Sequence, residues 1–233
     1  MNILSYFKGN RSRINEDLQD IRIRRLFSPA QLCLDKAFTP LVSRYLQGLC
    51  LDIGCGDQPY RALIESSGTQ YESVDVERRS KDLTYMADIH NMDAIPGERF
   101  DCAICLEVLE HVSNPFIAVA QISRLLKTDG LLILSVPHLS RVDEAPHDYF
   151  RYKQYRIRSI LESNGFEVLE MKPTGALFSF LGHQWSLAIN SLFWSVPVIR
   201  WAVFGINVVV CAYPSYLIDR LLRKVDLFPL SYV

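Results

Sequence analysis

Glycine and aspartate residues in the first third of the chain have the spacing of a nucleoside-binding site. Gly54 and Gly56 follow the apolar run at residues 49–53. Glycines at such a turn let the backbone bend sharply, and they let a ligand approach where a Cβ would obstruct it. Asp75 stands where an acidic side chain can bind ribose hydroxyls, whereas Pro59 replaces the third glycine of a dinucleotide fingerprint. The pattern therefore predicts a nucleoside ligand without a pyrophosphate.

The elements that must position these residues are strands alternating with helices. Apolar runs predict buried strands at residues 49–53, 71–76, 83–87, 100–105, 131–136 and 166–171. Asn114-Pro115 has the cap and first-turn residues of a helix start, and Asp129-Gly130 is the predicted end of that helix. Strands separated by helices at this spacing indicate βαβ units and a parallel sheet. The predicted fold class is α/β.

Two longer motifs resemble those of a known superfamily. Leu51-Asp52-Ile53-Gly54-Cys55-Gly56 resembles motif I of class I S-adenosylmethionine-dependent methyltransferases, and Glu107-Val108-Leu109-Glu110-His111-Val112 resembles the motif after strand four in their type 11 group. Asp75 matches the acidic residue after strand two, and Ala87-Asp88-Ile89 matches the segment that contacts adenine. The resemblance implies a Rossmann-like, seven-stranded, mostly parallel sheet with helices on both faces. It also implies S-adenosylmethionine as the cofactor.

The resemblance carries over to a set of positions that would contact this cofactor. Those that would face its methionine end are Asp52 and the backbone of Gly54, Cys55 and Gly56. Those that would bind its ribose and adenine are Asp75, Val76, Asp88 and Ile89, with Leu106 and Glu107 beside the cofactor at the end of strand four.

Histidines near these motifs are candidate general bases, because methyl transfer to a hydroxyl benefits from a base. His111 lies on the motif after strand four, where the alternative interpretation is structural support at the edge of the site. His147 lies in the segment 146–152, after strand five, and Asp148 beside it could orient its imidazole. His138 directly follows Pro137, and its expected role is to anchor the loop.

The acceptor is less constrained by the sequence. Segments similar to residues 146–152 occur in members of the group that are associated with bacterial glycan assembly. The first expectation is therefore O-methylation of a glycan or a lipid-linked sugar. A quinone or another lipophilic small molecule is the alternative acceptor, and a non-catalytic, membrane-anchored scaffold that binds S-adenosylmethionine is a further alternative.

The C-terminal third is strongly apolar, with Arg200 the one Asp, Glu, Lys or Arg between residues 173 and 218. Residues 201–218 have about the length of the shortest spanning helices, and Trp185, Trp194 and Trp201 resemble interfacial anchors. Three interpretations stay open: a membrane-embedded or interfacial hairpin, a buried subdomain or homodimer interface, and a true spanning segment.

The predicted division of the 233 residues has four parts. Residues 1–47 form an N-terminal helical cap, 48–176 the cofactor-binding core, 177–225 an apolar helical insertion and 226–233 the start of the final strand. We expect the enzyme in the cytoplasm, at the inner face of the cytoplasmic membrane, because the N-terminus lacks the features of a signal peptide.

Composition excludes several other kinds of site. The net charge of −1 gives no general attraction for nucleic acid. The six cysteines follow no disulfide framework. Cys102 and Cys105 would point to opposite faces of a strand, which spoils the geometry of a metal site. No metal is therefore expected.

Overall fold

The computed structural model describes residues 3–18, 23, 26–141, 146–222 and 231–233. The chain divides into two units: Ala37–Lys172 with Ser231–Val233, and Met1–Lys36 with Pro173–Leu230. The first is called the sheet unit below and the second the helical unit. The N-terminal segment and the apolar tail, which are far apart in the sequence, thus share one unit.

Seven strands form one sheet in the order β3-β2-β1-β4-β5-β7-β6. Their bounds are β1 Leu49–Ile53, β2 Gln70–Asp75, β3 Tyr85–Met86, β4 Phe100–Leu106, β5 Leu126–Pro137, β6 Pro173–Thr174 and β7 Ser231–Tyr232. Strands β1 to β5 pair in parallel, and β7 runs antiparallel to β5. This confirms the Rossmann-like, seven-stranded, mostly parallel sheet.

Hydrophobic clusters cover both faces of the sheet unit. Its helical segments are α2 Pro29–Tyr45, which begins in the helical unit, α3 Arg61–Ser66, a 3₁₀ turn Leu109–His111, α4 Pro115–Leu125 and α5 Gln154–Ser163. One cluster joins Leu51 of β1 to Ile122 of α4, and the other joins Cys50 to Phe38 of α2. Successive residues of β1 therefore enter opposite cores, as strand geometry requires. The same alternation places Cys102 and Cys105 in different cores, as predicted.

Helix α4 begins as predicted but ends earlier. Asn114 Oδ1 accepts a hydrogen bond from the Ile117 N–H at 3.3 Å, which caps the first turn. The helix ends at Leu125, not at Asp129-Gly130, because Leu126 already pairs with Phe100 in the sheet. The chain then continues directly as β5, which is longer than the predicted strand.

The predicted strand at 166–171 is wrong, and the predicted strand at 83–87 is reduced to Tyr85–Met86. A cavity of about 860 Å³ is lined by both β5 and residues 166–172. Among the described residues, no strand pairs with the backbone of 166–171. Pairing begins only where Lys172 and Val233 exchange hydrogen bonds of 2.7 and 2.9 Å. Of the predicted final strand at 226–233, Ser231–Tyr232 forms β7, while 223–230 lies outside the described residues.

The helical unit contains α1 Ile3–Asp17, α6 Leu177–Phe193, α7 Pro197–Asn207, a π-helical turn Val208–Ala212 and α8 Tyr213–Leu221. The last three form one continuous helix, Pro197–Leu221. Trp194 is buried among Ile14, Leu187 and Phe204 in the core of this unit. Its indole N–H donates to Asp17 Oδ2 at 2.9 Å, which joins α1 to the end of α6.

Candidate active site

The carboxyl ends of the parallel strands meet at one edge of the sheet, where ligands bind in open α/β folds. Gly54 and Gly56 follow β1 with φ values of +68° and +51°, in the left-handed region that favours glycine. A Cβ on Gly54 would lie 2.5 Å from Val108 Cγ2, whereas a Cβ on Gly56 would find no atom within 4 Å. Gly54 is therefore required by packing, and Gly56 faces open space.

Asp75 connects the end of β2 to the glycine turn. Its Oδ2 accepts a hydrogen bond from the Gly56 N–H at 2.8 Å, and its Oδ1 accepts one from the Glu77 N–H at 3.0 Å. A carboxylate has about four acceptor positions. Asp75 can thus still accept hydrogen bonds from ligand hydroxyls. The adjacent Val76 leaves 64% of its surface exposed, which provides an apolar contact for a flat ring.

Asp52 is a buried carboxyl on β1. Burial raises its pKa to about 7, the hydrogen bond from Tyr71 opposes this rise, and the charge of Asp75 adds to it. The Tyr71 hydroxyl donates to Asp52 Oδ2 at 2.6 Å. A positively charged ligand group near Asp52 would favour its ionised form. Burial raises the pKa of the neighbouring Cys55 to about 12, so that residue stays a neutral thiol.

Asp88 is held by His90, a residue that the sequence did not single out. Asp88 Oδ1 accepts hydrogen bonds from the main-chain N–H of His90 at 2.8 Å and from its Nδ1 at 2.7 Å. His90 Nε2 accepts from the Asn114 N–H at 3.2 Å, so the ring proton lies on Nδ1. The main-chain bond lowers the pKa of Asp88, which favours the carboxylate. Ile89 packs against the core beside it.

Glu107 follows Leu106 at the end of β4, and its carboxyl contacts serines. Its φ of +54° is unusual for a residue with a side chain. The Glu107 N–H donates to the Ser135 carbonyl at 3.1 Å, and Ser135 Oγ donates to Glu107 Oε1 at 2.8 Å. Ser231 Oγ of β7 lies 3.1 Å from the same oxygen. Burial raises the pKa of Glu107, although the serine bonds oppose it. No sequence pattern pointed to either serine.

One ring nitrogen of His111 is hydrogen-bonded to the main chain, and the other can accept a proton. Its Nδ1 lies 2.6 Å from the main-chain oxygen of His147. A carbonyl oxygen can only accept, so Nδ1 carries the proton and Nε2 is left with its lone pair. Nε2 lies 3.8 Å from Oε1 of the buried Glu110. Burial, and then the charge of Glu107, raise the pKa of Glu110 well above its usual value.

The hypothesis that Asp148 orients His147 is wrong. Both Asp148 oxygens bind the guanidinium of Arg151, at 2.5 Å from Nη1 and 2.7 Å from Nη2. His147 instead contacts the Tyr149 hydroxyl through Nδ1 at 3.0 Å. The structure thus connects His147 to His111 through a main-chain carbonyl and not through its imidazole. His138 Nδ1 donates to the Tyr152 carbonyl at 2.9 Å, a contact suited to its expected role of anchoring the loop.

Comparison with known proteins identifies the family. The family model for a methyltransferase domain matches residues 22–171. The chain is similar to the ubiquinone biosynthesis O-methyltransferase of Rickettsia typhi, with 24% identity over 59% of this chain and 67% of that protein. It is 25% identical to the enzyme of that name from Rhizobium leguminosarum bv. trifolii, over 71% of this chain and 77% of that one. A SAM-dependent methyltransferase from Archaeoglobus fulgidus superposes with a TM-score of 0.55 and 14% identity, over 88% and 92% of the two chains.

The Rossmann-like sheet with its glycine turn and strand-end acids defines the class of protein. The chain belongs to the methyltransferase-domain family and is a class I S-adenosylmethionine-dependent methyltransferase. The residues present fit that cofactor, because open space at Gly56, free acceptor positions on Asp75 and the exposed Val76 suit a nucleoside. Within the described part of the chain, no cluster of three or more His, Cys, Asp or Glu is placed to hold a metal ion.

Proposed function

We propose that this methyltransferase O-methylates a hydroxyl on a quinone-type or similarly lipophilic aromatic acceptor. The observation that carries the proposal is His111, whose Nδ1 is committed to the His147 carbonyl at 2.6 Å and whose Nε2 is free to accept a proton. The two relatives named ubiquinone biosynthesis O-methyltransferase support an aromatic acceptor. These relatives favour that acceptor over the glycan or lipid-linked sugar expected first from the sequence.

The cofactor-binding roles follow from the strand ends. S-adenosylmethionine, when bound, supplies an electrophilic methyl group on its sulfonium. In this proposal Asp75 accepts hydrogen bonds from the ribose hydroxyls, and Asp88 accepts one from the adenine amino group. Asp52 and the Gly54–Gly56 turn face the charged methionine end. The remaining contacts are those of Val76 and Ile89 with the base, and of Leu106 and Glu107 beside the cofactor.

His111 removes the proton of the acceptor hydroxyl. The nearby Glu110 oxygen, at 3.8 Å, is too distant for a hydrogen bond, so this carboxyl does not take up the lone pair of Nε2. A phenolic hydroxyl has a pKa of about 10. A hydroxyl without such acidity, such as water with a pKa of about 15.7, gives up its proton far less readily. An imidazole base therefore favours the aromatic acceptor over a sugar.

An acceptor comparison tests the proposal. The enzyme is incubated with S-adenosylmethionine and, separately, a catechol with a short prenyl chain, a lipid-linked sugar and a primary amine. Mass spectrometry of the products should show a methyl ether of the catechol. The Asp75→Ala variant and a reaction without enzyme are the controls. Methylation of the sugar or the amine, with none of the catechol, would overturn the proposal.

A further inference from the structure

The helical unit buries many polar side chains beside its apolar core and exposes many large apolar ones. Its buried polar residues include Ser179, Ser186, Asn190, Asn207, Ser215 and Asp219. Its exposed large apolar residues include Trp185, Val198, Ile206, Val209, Val210 and Leu221, each with more than 60% of its surface exposed. Buried polar side chains and large exposed apolar side chains are the two departures from the usual pattern of water-soluble domains.

The interior polar side chains form hydrogen bonds within and across the hairpin of α6 and the long helix Pro197–Leu221. Across the hairpin, Asn207 Nδ2 donates to Ser186 Oγ at 3.1 Å, and within α6 Asn190 Nδ2 donates to the Ser186 carbonyl at 2.8 Å. Asp219 accepts from the N–H groups of Ala176, Phe178 and Ser179 at 2.9, 3.0 and 2.7 Å. The main-chain N–H groups at the start of α6 thereby find hydrogen-bond acceptors within the unit, as they must where water is absent.

Small residues let the two arms of the hairpin approach closely. A Cβ on Gly182 of α6 would lie 2.6 Å from Ser215 Cβ of α8. The Cys211 thiol lies 3.6 Å from the Gly182 carbonyl in the same contact. Close approach through Gly and Ser, combined with polar side chains between helices, is characteristic of helix packing in lipid.

The long helix has the length and hydropathy of a membrane segment. It comprises 25 residues, and an 18-residue window within it has a mean hydropathy of 1.6 with only 28% of that window buried. Its length of about 37 Å exceeds the roughly 30 Å of a bilayer's hydrocarbon core. Charged residues lie at its two ends: Arg200 pairs with Asp17 at 3.1 Å, and Asp219 and Arg220 lie in its last turn.

We propose that the exposed apolar face of this hairpin contacts the hydrocarbon of a phospholipid bilayer. Lipid is favoured over a second copy of the chain, because protein interfaces have a polar rim. Residues 201–218 instead contain no Asp, Glu, Lys or Arg. The bilayer contact stands independently of the acceptor's identity. Where the acceptor is lipophilic, as the proposed function holds, the same contact brings the enzyme to the phase in which that acceptor dissolves.

Vesicle flotation of the full chain tests this inference. Vesicles of phosphatidylcholine and phosphatidylglycerol should carry the wild-type protein to the top of a density gradient. The fraction of the Val209→Asp/Val210→Asp variant that floats should be at least ten-fold smaller than that of the wild type, because charges are costly in hydrocarbon. The matched control is Tyr155→Asp/Leu169→Asp, which changes residues that are 77% and 70% exposed on the sheet unit. That control should float like the wild type.

A fluorescence measurement keeps the test decisive if the charged variant misfolds. Brominated acyl chains should quench the wild-type fluorescence, and Trp185→Phe/Trp201→Phe should remove much of that quenching, because Trp185 and Trp201 are 61% and 46% exposed whereas Trp194 is buried. The absence of flotation by the wild type, with a stable dimer in light scattering, would overturn the lipid assignment. Undiminished catechol methylation in that case would show that the proposed function survives without it.

Discussion

Asp75 Oδ2 accepts a hydrogen bond from the main-chain N–H of Gly56 at 2.8 Å. This bond joins the end of β2 to the turn after β1, so the two halves of the proposed cofactor site hold each other in place. It also gives the spacing of the two motifs a physical basis, because β1 and β2 pair in register along their length. The glycine turn is therefore fixed before any ligand binds.

Removing the Asp75 carboxylate should weaken S-adenosylmethionine binding. Asp75→Ala deletes charged hydrogen-bond acceptors, each worth about 1.5–3 kcal/mol, so we expect a dissociation constant raised about 10- to 100-fold. Calorimetric titration measures the change. Asp82→Ala is the matched control, because Asp82 forms an exposed ion pair with Arg61 at 3.3 Å. Equal affinity in all three proteins would remove the ribose assignment.

Alanine at the two turn glycines should have different effects, mainly on stability at Gly54 and mainly on cofactor affinity at Gly56. Gly54→Ala adds a steric overlap with Val108 to the cost of a positive φ, and should lower the free energy of unfolding by about 2–4 kcal/mol. Gly56→Ala should cost about 1–2 kcal/mol yet reduce cofactor affinity at least ten-fold, because its methyl enters the open space.

Gly68→Ala is the control for these two variants. Gly68 has a φ of +86°, and a Cβ added to it would find no atom within 4 Å, but it follows α3, away from the strand-end edge. It should show the backbone cost without loss of cofactor binding. Urea denaturation and calorimetry separate the two effects. Similar affinities for the Gly56 and Gly68 variants would contradict the placement of the cofactor at Gly56.

His90 should act on the cofactor only through Asp88. His90→Ala removes the 2.7 Å bond to the carboxylate but leaves the main-chain bond, so we expect a dissociation constant raised about five-fold. The Asp88→Ala/His90→Ala double variant should bind no more weakly than Asp88→Ala alone. Additive losses in this calorimetric cycle would mean that His90 contacts the cofactor itself.

Asp52 should make the fold less stable as pH rises. Its pKa rises from 3.8 to about 7 on folding, so the folded state binds the proton more tightly. Stability is therefore fully present below pH 4 and declines through pH 7, by on the order of 4 kcal/mol for this residue. Asp52→Asn keeps an acceptor for Tyr71 and should flatten the decline between pH 5 and pH 8 in urea denaturation. An unchanged slope would contradict the buried, protonated carboxyl.

Local patterns were sufficient to predict the central strands and one helix start. β1 and β4 are buried on both faces, so their apolar runs are continuous, and Asn114 caps α4 through a bond to its own neighbour Ile117. The order of the motifs along the chain then predicted the sheet and the cofactor.

Features that depend on residues distant in the sequence could not be predicted from local patterns. The 166–171 segment has a strand-like composition, but its pairing depends on Val233, which is remote in sequence. Ser231 reaches Glu107 only because β7 lies beside β5. His90 had a local signal, since a residue two positions after an aspartate often donates its N–H to that side chain. The contact of His90 with Asn114 had no such local signal in the sequence.

Transfer of an isotopically labelled methyl group tests the central claim most directly. The wild-type enzyme, His111→Asn and the control His138→Asn are each incubated with [¹³C-methyl]-S-adenosylmethionine and a prenylated catechol. We expect a labelled methyl ether from the wild type and the control. His111→Asn should bind the cofactor normally but react about 10²- to 10⁴-fold more slowly, the usual contribution of a general base. Equal rates for His111→Asn and the wild type, or a label found only on carbon or nitrogen, would contradict base-assisted O-methylation.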